Sequence, residues 1–121
     1  MARSRQSPTK QKPMQARAKV WLEIDGRYVF GYGISQMLKA VETAGSIKAA
    51  AGLLGKSYRY VWSRIKDAER DLGESLVQTQ VGGKGVRRSS LTDLASRLVT
   101  DYDALRRRTF DVVEREFSSR F

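Results

Sequence analysis

The residues best suited to binding chemistry lie in KSYRYVWSRIK, residues 56–66, which holds four cations, two tyrosines and a tryptophan but no acid. The acids Asp67, Glu69 and Asp71 follow only afterwards. A helix macrodipole favours acids near the start of a helix and cations near its end, so helix stability does not explain this order. A phosphate backbone does explain it, because a helix N-terminus and clustered cations both attract phosphate.

Apolar spacing predicts which side chains of this stretch remain free to bind. Val61, Trp62 and Ile65 have the spacing of a stripe that packs into the core, so we expect Trp62 to be buried. Arg59 and Arg64 can reach the paired acceptors of guanine in a major groove. The predicted DNA-binding residues here are Lys56, Ser57, Tyr58, Arg59, Tyr60, Ser63, Arg64 and Lys66. An ordinary solvated helix face is the alternative interpretation.

The preceding residues have the spacing of a helix-turn-helix. Ala51 allows a close helix approach, Gly55 allows a tight turn, and Val61 is a core anchor on the second helix of the motif. Such triples also arise by chance in helical proteins. The adjacent positive charge is what favours the DNA-binding interpretation.

A second candidate site is GGKGVRR, which lies between strand-compatible flanks in the region 76–92. A glycine-rich hairpin tip carrying Lys84, Arg87 and Arg88 can follow a phosphate ridge or enter a minor groove, as a wing does. A nucleotide-binding P-loop is not expected, because Gly85 stands where the serine or threonine after the lysine should be. A merely flexible turn remains the alternative.

The other elements must position these two sites. Residues 1–18 are basic, contain both prolines and predict a disordered arm. Alternating apolar residues on either side of Asp25-Gly26 predict a β-hairpin over about 19–31 with a type I′ turn. Apolar residues at i, i+3, i+4 and i+7 from Ile34 predict a first helix, and a second helix follows Ser46.

A long last helix should begin at Thr92-Asp93 and span roughly 35 Å. Its apolar stripe is longer than a small domain needs, which favours self-association over core packing alone. Arg106, Arg107 and Arg108 interrupt the stripe. The residues predicted to form the dimer surface are Leu98, Tyr102, Leu105 and Val112.

Composition limits the function classes. The chain has 121 residues and a net charge of +10, which favours nucleic acid first and an acidic membrane second as partner. It has no cysteine and no histidine, so we expect no thiolate metal site, no cofactor and no enzymatic activity. No apolar run is long enough to span a membrane or to act as a signal peptide, which predicts a cytoplasmic protein associated with the nucleoid.

Several segments together resemble a known family. VWLEIDG, TAGSIKAAAGLLGKSYRYVW, LGESLVQ, GGKG and SLT, within residues 19–105, resemble the DNA-binding domain of molybdate-responsive, ModE-type transcription regulators, and more distantly the LysR type. The resemblance implies a winged helix that dimerises through its N-terminal hairpin and long last helix. It also implies a recognition helix beginning at Ser57, with Tyr58 and Trp62 at the family's aromatic positions and Lys84 in the wing.

Two departures from the family pattern matter. The family's wing stays glycine-rich after GGKG, whereas here Val86-Arg87-Arg88-Ser89 follows, which implies stronger phosphate contact. The full-length regulators carry C-terminal molybdate-binding modules, whereas this chain ends at Phe121. We therefore expect no molybdate binding within this chain.

The sequence thus predicts a mainly α (α+β) winged helix-turn-helix. Its expected divisions are a basic arm at 1–18, a DNA-binding domain at 19–91 and a dimerisation helix at 92–121. The predicted function is a transcriptional regulator that binds double-stranded DNA as a homodimer at an inverted-repeat operator. The alternatives are a nonspecific architectural DNA-binding protein and a winged-helix module that binds another protein.

Overall fold

The computed structural model describes residues 13–85 and 87–121, and the side chain of Lys84 is outside this description. Most of the predicted basic arm, residues 1–12, therefore lies outside the described residues. The elements are β1 Trp21–Ile24, β2 Arg27–Gly31, α1 Tyr32–Ala44, α2 Ile47–Leu54, α3 Tyr58–Leu72, β3 Val77–Val81, β4 Arg87–Leu91 and α4 Asp93–Arg120. The predicted mainly helical, winged helix-turn-helix fold is confirmed. Across the described part of the chain, no helix combines the length and apolarity needed to cross a membrane.

Two separate antiparallel hairpins flank the helices. β1 pairs with β2, and β3 pairs with β4 in a regular register from Val77 opposite Leu91 to Val81 opposite Arg87. In the first turn Asp25 and Gly26 have φ angles of 52° and 77°. A type I′ turn needs positive φ at both central residues, so this part of the prediction is confirmed.

The helices α2, α3 and α4 each begin after a serine or threonine whose side chain caps the helix. The hydroxyls of Ser46, Ser57 and Thr92 accept hydrogen bonds from the backbone N–H three residues later, at 3.0, 3.0 and 3.2 Å. Each satisfies one N–H that the helix itself leaves without a partner. Between α2 and α3, Gly55 adopts a left-handed φ of 67°, which makes the tight turn of the helix-turn-helix possible.

The core forms around α1, which contacts α2, α3, α4, β2 and β4. Ala51 and Val61 are both buried, as the helix-turn-helix spacing predicts. The largest fully buried side chains include Phe30, Ile34, Leu38, Ile65 and Leu76. Burial of these apolar side chains fixes α3 and the wing hairpin against the same central helix.

Tyr102 fastens the last helix to the first hairpin. Its side chain is 2% exposed, its hydroxyl donates to the Val20 carbonyl oxygen at 2.8 Å, and its ring meets Phe30 edge-on at 5.5 Å. Burial raises the pKa of the Tyr102 hydroxyl above its ordinary value of 10.0. Tyr102 is thus buried in the core of its own chain and does not lie on the dimer surface, where it was predicted.

Glu69 links the start of the wing to α3 through hydrogen bonds. Its carboxylate oxygen Oε2 accepts hydrogen bonds from the backbone N–H groups of Leu76 and Val77, at 2.8 and 3.2 Å. The other oxygen, Oε1, lies 3.1 Å from Nζ of Lys66. At the far strand, the backbone N–H of Ser89 donates to the Gly45 carbonyl at 2.8 Å. These bonds set the position of the wing relative to α3.

Replacing Tyr102 tests the α4 anchor. Tyr102→Phe removes the bond to Val20 and should lower the free energy of unfolding by about 1 kcal/mol at pH 8. Because the folded state raises this pKa, its contribution is complete below pH 10 and is lost as the pH rises further, so the difference should shrink at pH 11. Urea denaturation at both pH values measures this. Tyr58→Phe, at a half-exposed tyrosine, should change stability by less than about 0.5 kcal/mol.

Replacing Glu69 tests the wing anchor. Glu69→Ala leaves two backbone N–H groups without an acceptor and should cost about 2–4 kcal/mol of unfolding free energy, measured by urea denaturation. Glu74→Ala is the matched control, because Glu74 is exposed and lies five residues further along the chain. Equal effects of the two substitutions would contradict the anchoring role.

Candidate nucleic-acid interface

The solvent-facing side of α3 carries the chemistry. Val61, Ile65 and Ala68 are its buried residues, and helical periodicity places Arg59 and Ser63 on the side opposite to them. Arg59 is exposed and makes no ion pair within the part of the chain that the structure describes. Its guanidinium is therefore available to a partner, with five donors in a planar fork.

Asp67 and Asp71 of α3 already form ion pairs with arginines of the same chain. Asp71 lies 3.1 Å from the guanidinium of Arg27, and Asp67 lies 3.0 Å from that of Arg70. Both side chains of the Asp67–Arg70 pair are exposed, and such pairs contribute little to stability, whereas the Asp71 side chain is only 15% exposed. These pairs neutralise acids in the C-terminal half of α3. The N-terminal half holds no acid and keeps a net positive charge.

One flank of α3 faces the first hairpin. The Arg64 guanidinium carbon lies 5.9 Å from the ring centroids of both Tyr28 and Tyr60, and its Nη1 donates to the Tyr60 hydroxyl at 3.4 Å. These contacts hold Arg64 to the side of α3 rather than on its front. Of the two arginines predicted to reach base edges, Arg59 therefore has the better position.

The other flank of α3 faces the wing, and it requires a correction. Trp62 is 40% exposed rather than buried, so its assignment to the core was wrong. The buried face of α3 is only wide enough for Val61, Ile65 and Ala68, and the next residue after Val61 is turned by about 100° out of it. Trp62 instead lines an open groove between α3 and the wing, together with Tyr58 and Arg87.

The start of α3 holds a capping serine, a lysine and two exposed tyrosines. Ser57 accepts a hydrogen bond from the Tyr60 N–H, so its side-chain oxygen already caps the helix. Lys56 places Nζ 5.6 Å from the centroid of the Tyr60 ring. Tyr58 and Tyr60 are 50% and 43% exposed, which leaves both rings accessible at the helix N-terminus.

The two arginines of the wing, Arg87 and Arg88, lie beside different parts of the molecule. Arg87 is exposed and faces the groove, whereas the Arg88 guanidinium lies against Gly45, where an added Cβ would meet its Nη1 at 2.9 Å. Arg88 is thus held beside the turn between α1 and α2. The backbone of Lys84 belongs to a short 3-10 turn over Gly83–Gly85 at the hairpin tip.

The exposed face of α4 is smaller than predicted and contains an unpredicted cluster. Leu105 and Val112 are 45% and 48% exposed, while Leu98 packs partly against the core. The Arg106 guanidinium carbon lies 4.0 Å from the ring centroid of Tyr32 and 4.5 Å from that of Phe110. The sequence showed a row of arginines but not that one of them joins α4 to the start of α1.

Metal binding has no support in the described residues. Over residues 13–85 and 87–121 no three or more acidic, cysteine or histidine side chains are grouped as a metal ion requires. The site is instead an assembly of cations, aromatic rings and hydroxyls. Such an assembly suits phosphate and base edges.

Comparison with known proteins agrees with this geometry. Residues 35–96, just over half of the chain, match the family model described as bacterial regulatory helix-turn-helix protein, lysR family. The transcriptional regulator ModE of Yersinia pestis is 33% identical over 84% of this chain and 40% of its own length. The DNA-binding transcriptional dual regulator ModE of Escherichia coli K12 is 30% identical over 83% of this chain and 39% of its own length.

The solved structures add evidence on the fold. The DNA-binding domain of CbnR, crystallised in complex with DNA, aligns with a TM-score of 0.54 at 22% identity, covering 72% of this chain and 94% of that domain. The resemblance to ModE-type regulators is confirmed by the sequence matches, although the chain spans about 40% of the length of those relatives. Because the family model matches across the helix-turn-helix and the wing, this chain belongs to the lysR family of bacterial regulatory helix-turn-helix proteins.

Proposed function

We propose that this chain is a transcriptional regulator that binds double-stranded DNA in a sequence-specific manner. The observation that carries the proposal is the stretch 56–66, which runs from just before α3 into its middle and has four cations and no acid, with Arg59 exposed and unpaired among the described residues. The relative from E. coli is named a DNA-binding regulator, and the CbnR domain was crystallised with DNA. We extend that activity to this chain.

In the proposed complex, α3 enters the major groove and the wing follows the neighbouring backbone. Arg59 donates to paired acceptors on guanine, and Ser63 lies on the same face within reach of base edges. Arg87 and Lys84 contact phosphates from the wing. The division of labour follows from chemistry, because base contacts carry sequence information and phosphate contacts carry salt-sensitive affinity.

We further propose that two copies associate through α4 and read an inverted repeat. The C-terminal part of α4 exposes Leu105 and Val112, and Leu98 contributes the part of its side chain that the core leaves free. The hairpin residue Trp21 and the first residue of α1, Tyr32, are each 48% exposed beside the same helix. The divisions 1–18, 19–91 and 92–121 then act as basic arm, DNA-binding domain and dimerisation helix, and the protein works in the cytoplasm on the nucleoid.

Selection from a random DNA pool at about 150 mM salt tests the central proposal, because purely electrostatic binding is weak there. We expect an inverted-repeat motif to be enriched. A pool that stays random, with binding that disappears as salt rises, would instead indicate a nonspecific architectural DNA-binding protein.

Two substitutions separate base reading from phosphate binding. Arg59→Ala should reduce the ratio of specific to nonspecific affinity by about 10-fold or more, since a good bidentate contact contributes about 1–3 kcal/mol. Lys84→Ala should weaken binding to all sequences alike and reduce the salt slope by about one. Fluorescence anisotropy over a series of salt concentrations measures both. Equal loss of specific and nonspecific binding in Arg59→Ala would exclude its base-reading role.

A charge placed on the exposed face of α4 tests the dimer. The double variant Leu105→Asp, Val112→Asp should sediment as a monomer at concentrations where the unaltered chain is a dimer, because each copy would bury two charges in the interface. Leu53→Asp is the control, since Leu53 is 65% exposed on α2 and lies outside the proposed surface. A dimer that survives the double substitution would contradict this assignment.

A further inference from the structure

The groove between α3 and the wing has the composition of a binding site. We call it the wing groove and define it by Tyr58, Trp62 and Lys66 on α3 and by Val77, Thr79 and Arg87 on the wing. No acidic residue lines it within the described residues, and its charged members are Lys66, which also pairs with Glu69 at 3.1 Å, and Arg87. Its surface therefore favours an anionic occupant.

The opposite flank of α3 shows that this charge pattern is not general. The hollow between α3 and the first hairpin is lined by Asp67 and Asp71 as well as by Arg64 and Arg70. Its cations and acids balance, so that hollow offers no net attraction for phosphate. The two sides of the same helix thus differ in charge, and the side that faces the wing is the one suited to a polyanion.

Trp62 is the unusual member of the wing groove. A tryptophan that is 40% exposed leaves much of a large ring in water. Its indole N–H donates no hydrogen bond to any of the described residues, and Nζ of Lys66 lies 5.8 Å from the ring centroid. The indole is a donor with an apolar face, which suits a phosphate oxygen beside a sugar.

We propose that the wing groove seats the sugar–phosphate backbone of one DNA strand. The indole N–H of Trp62 donates to a phosphate oxygen while its ring lies along the deoxyribose, and Lys66 and Arg87 bind the same stretch of backbone from the two walls. This inference rests on the proposed function and adds to it. Trp62 becomes a positioning residue that sets how α3 sits against the bases, without reading any base itself.

The groove is held open by contacts already present in the free chain. Glu69 binds the backbone N–H groups of Leu76 and Val77, where the wing begins, and places Lys66 beside Trp62. Lys66 keeps donors for a phosphate because an ammonium has three, and its side chain is 48% exposed. These contacts set the positions of both walls in the free chain.

The two tryptophans of the chain allow a direct test. In Trp21→Phe, Trp62 is the sole tryptophan, and in Trp62→Phe, Trp21 is the sole one. Each variant is titrated with a random-sequence 30-base-pair duplex at about 50 mM salt, where phosphate-driven binding is strong. DNA anisotropy reports binding, and acrylamide quenching reports how accessible each indole is.

The expected result is that the quenching constant of Trp62 falls at least threefold at saturating DNA while that of Trp21 changes little. DNA binding without protection of Trp62 would overturn this inference and leave the proposed function intact. Absence of DNA binding would overturn both.

A second measurement separates a backbone contact from a general folding effect. Trp62→Ala should weaken binding to all duplexes about fivefold and leave the salt slope unchanged, because no charge is removed. Arg87→Gln should weaken binding to a similar degree and reduce the slope by about one. Urea denaturation should show both variants folded. A loss of sequence preference without a loss of general affinity in Trp62→Ala would contradict a backbone contact.

Discussion

The narrow buried face of α3 is the constraint on which the site depends. Val61, Ile65 and Ala68 provide its buried residues, so most of the surface of this helix stays outside the core. A wider apolar stripe would bury Trp62 and draw the wing over the helix. A narrower one would not hold the helix against α1. The three buried residues thus anchor the helix in the core and leave most of its surface accessible.

Both flanks of α3 are tied to other elements, and this gives the helix a defined orientation. On one side Arg27 pairs with Asp71 and Arg64 contacts Tyr28, which connects α3 to the first hairpin. On the other side Glu69 holds the backbone at the start of β3. The Glu69 and Asp71 side chains are both partly buried, at 12% and 15% exposure, and Glu69 accepts two backbone hydrogen bonds as well. These contacts join the wing and α3 into one continuous surface.

Charge is arranged along α3 against the preference of an isolated helix. Cations precede acids, and the first turn of α3 holds no acid that would favour the macrodipole. The helix tolerates this because Ser57 caps its start and its apolar residues are buried. Local stability that is given up at a surface while the core remains intact is typical of a functional site.

The order of elements could be predicted from the sequence, because caps, turn residues and apolar periodicity act over a few residues. Ser46, Ser57 and Thr92 start helices, and Asp25-Gly26 makes the predicted turn. The sequence did not predict that Tyr102 bonds to Val20, that Glu69 supports the wing or that Trp62 lines a groove. Helical periodicity gives the angular position of a side chain around the helix axis. It does not give the width of the helix face that neighbouring elements bury. That width depends on contacts between residues far apart in the chain, which no local pattern contains.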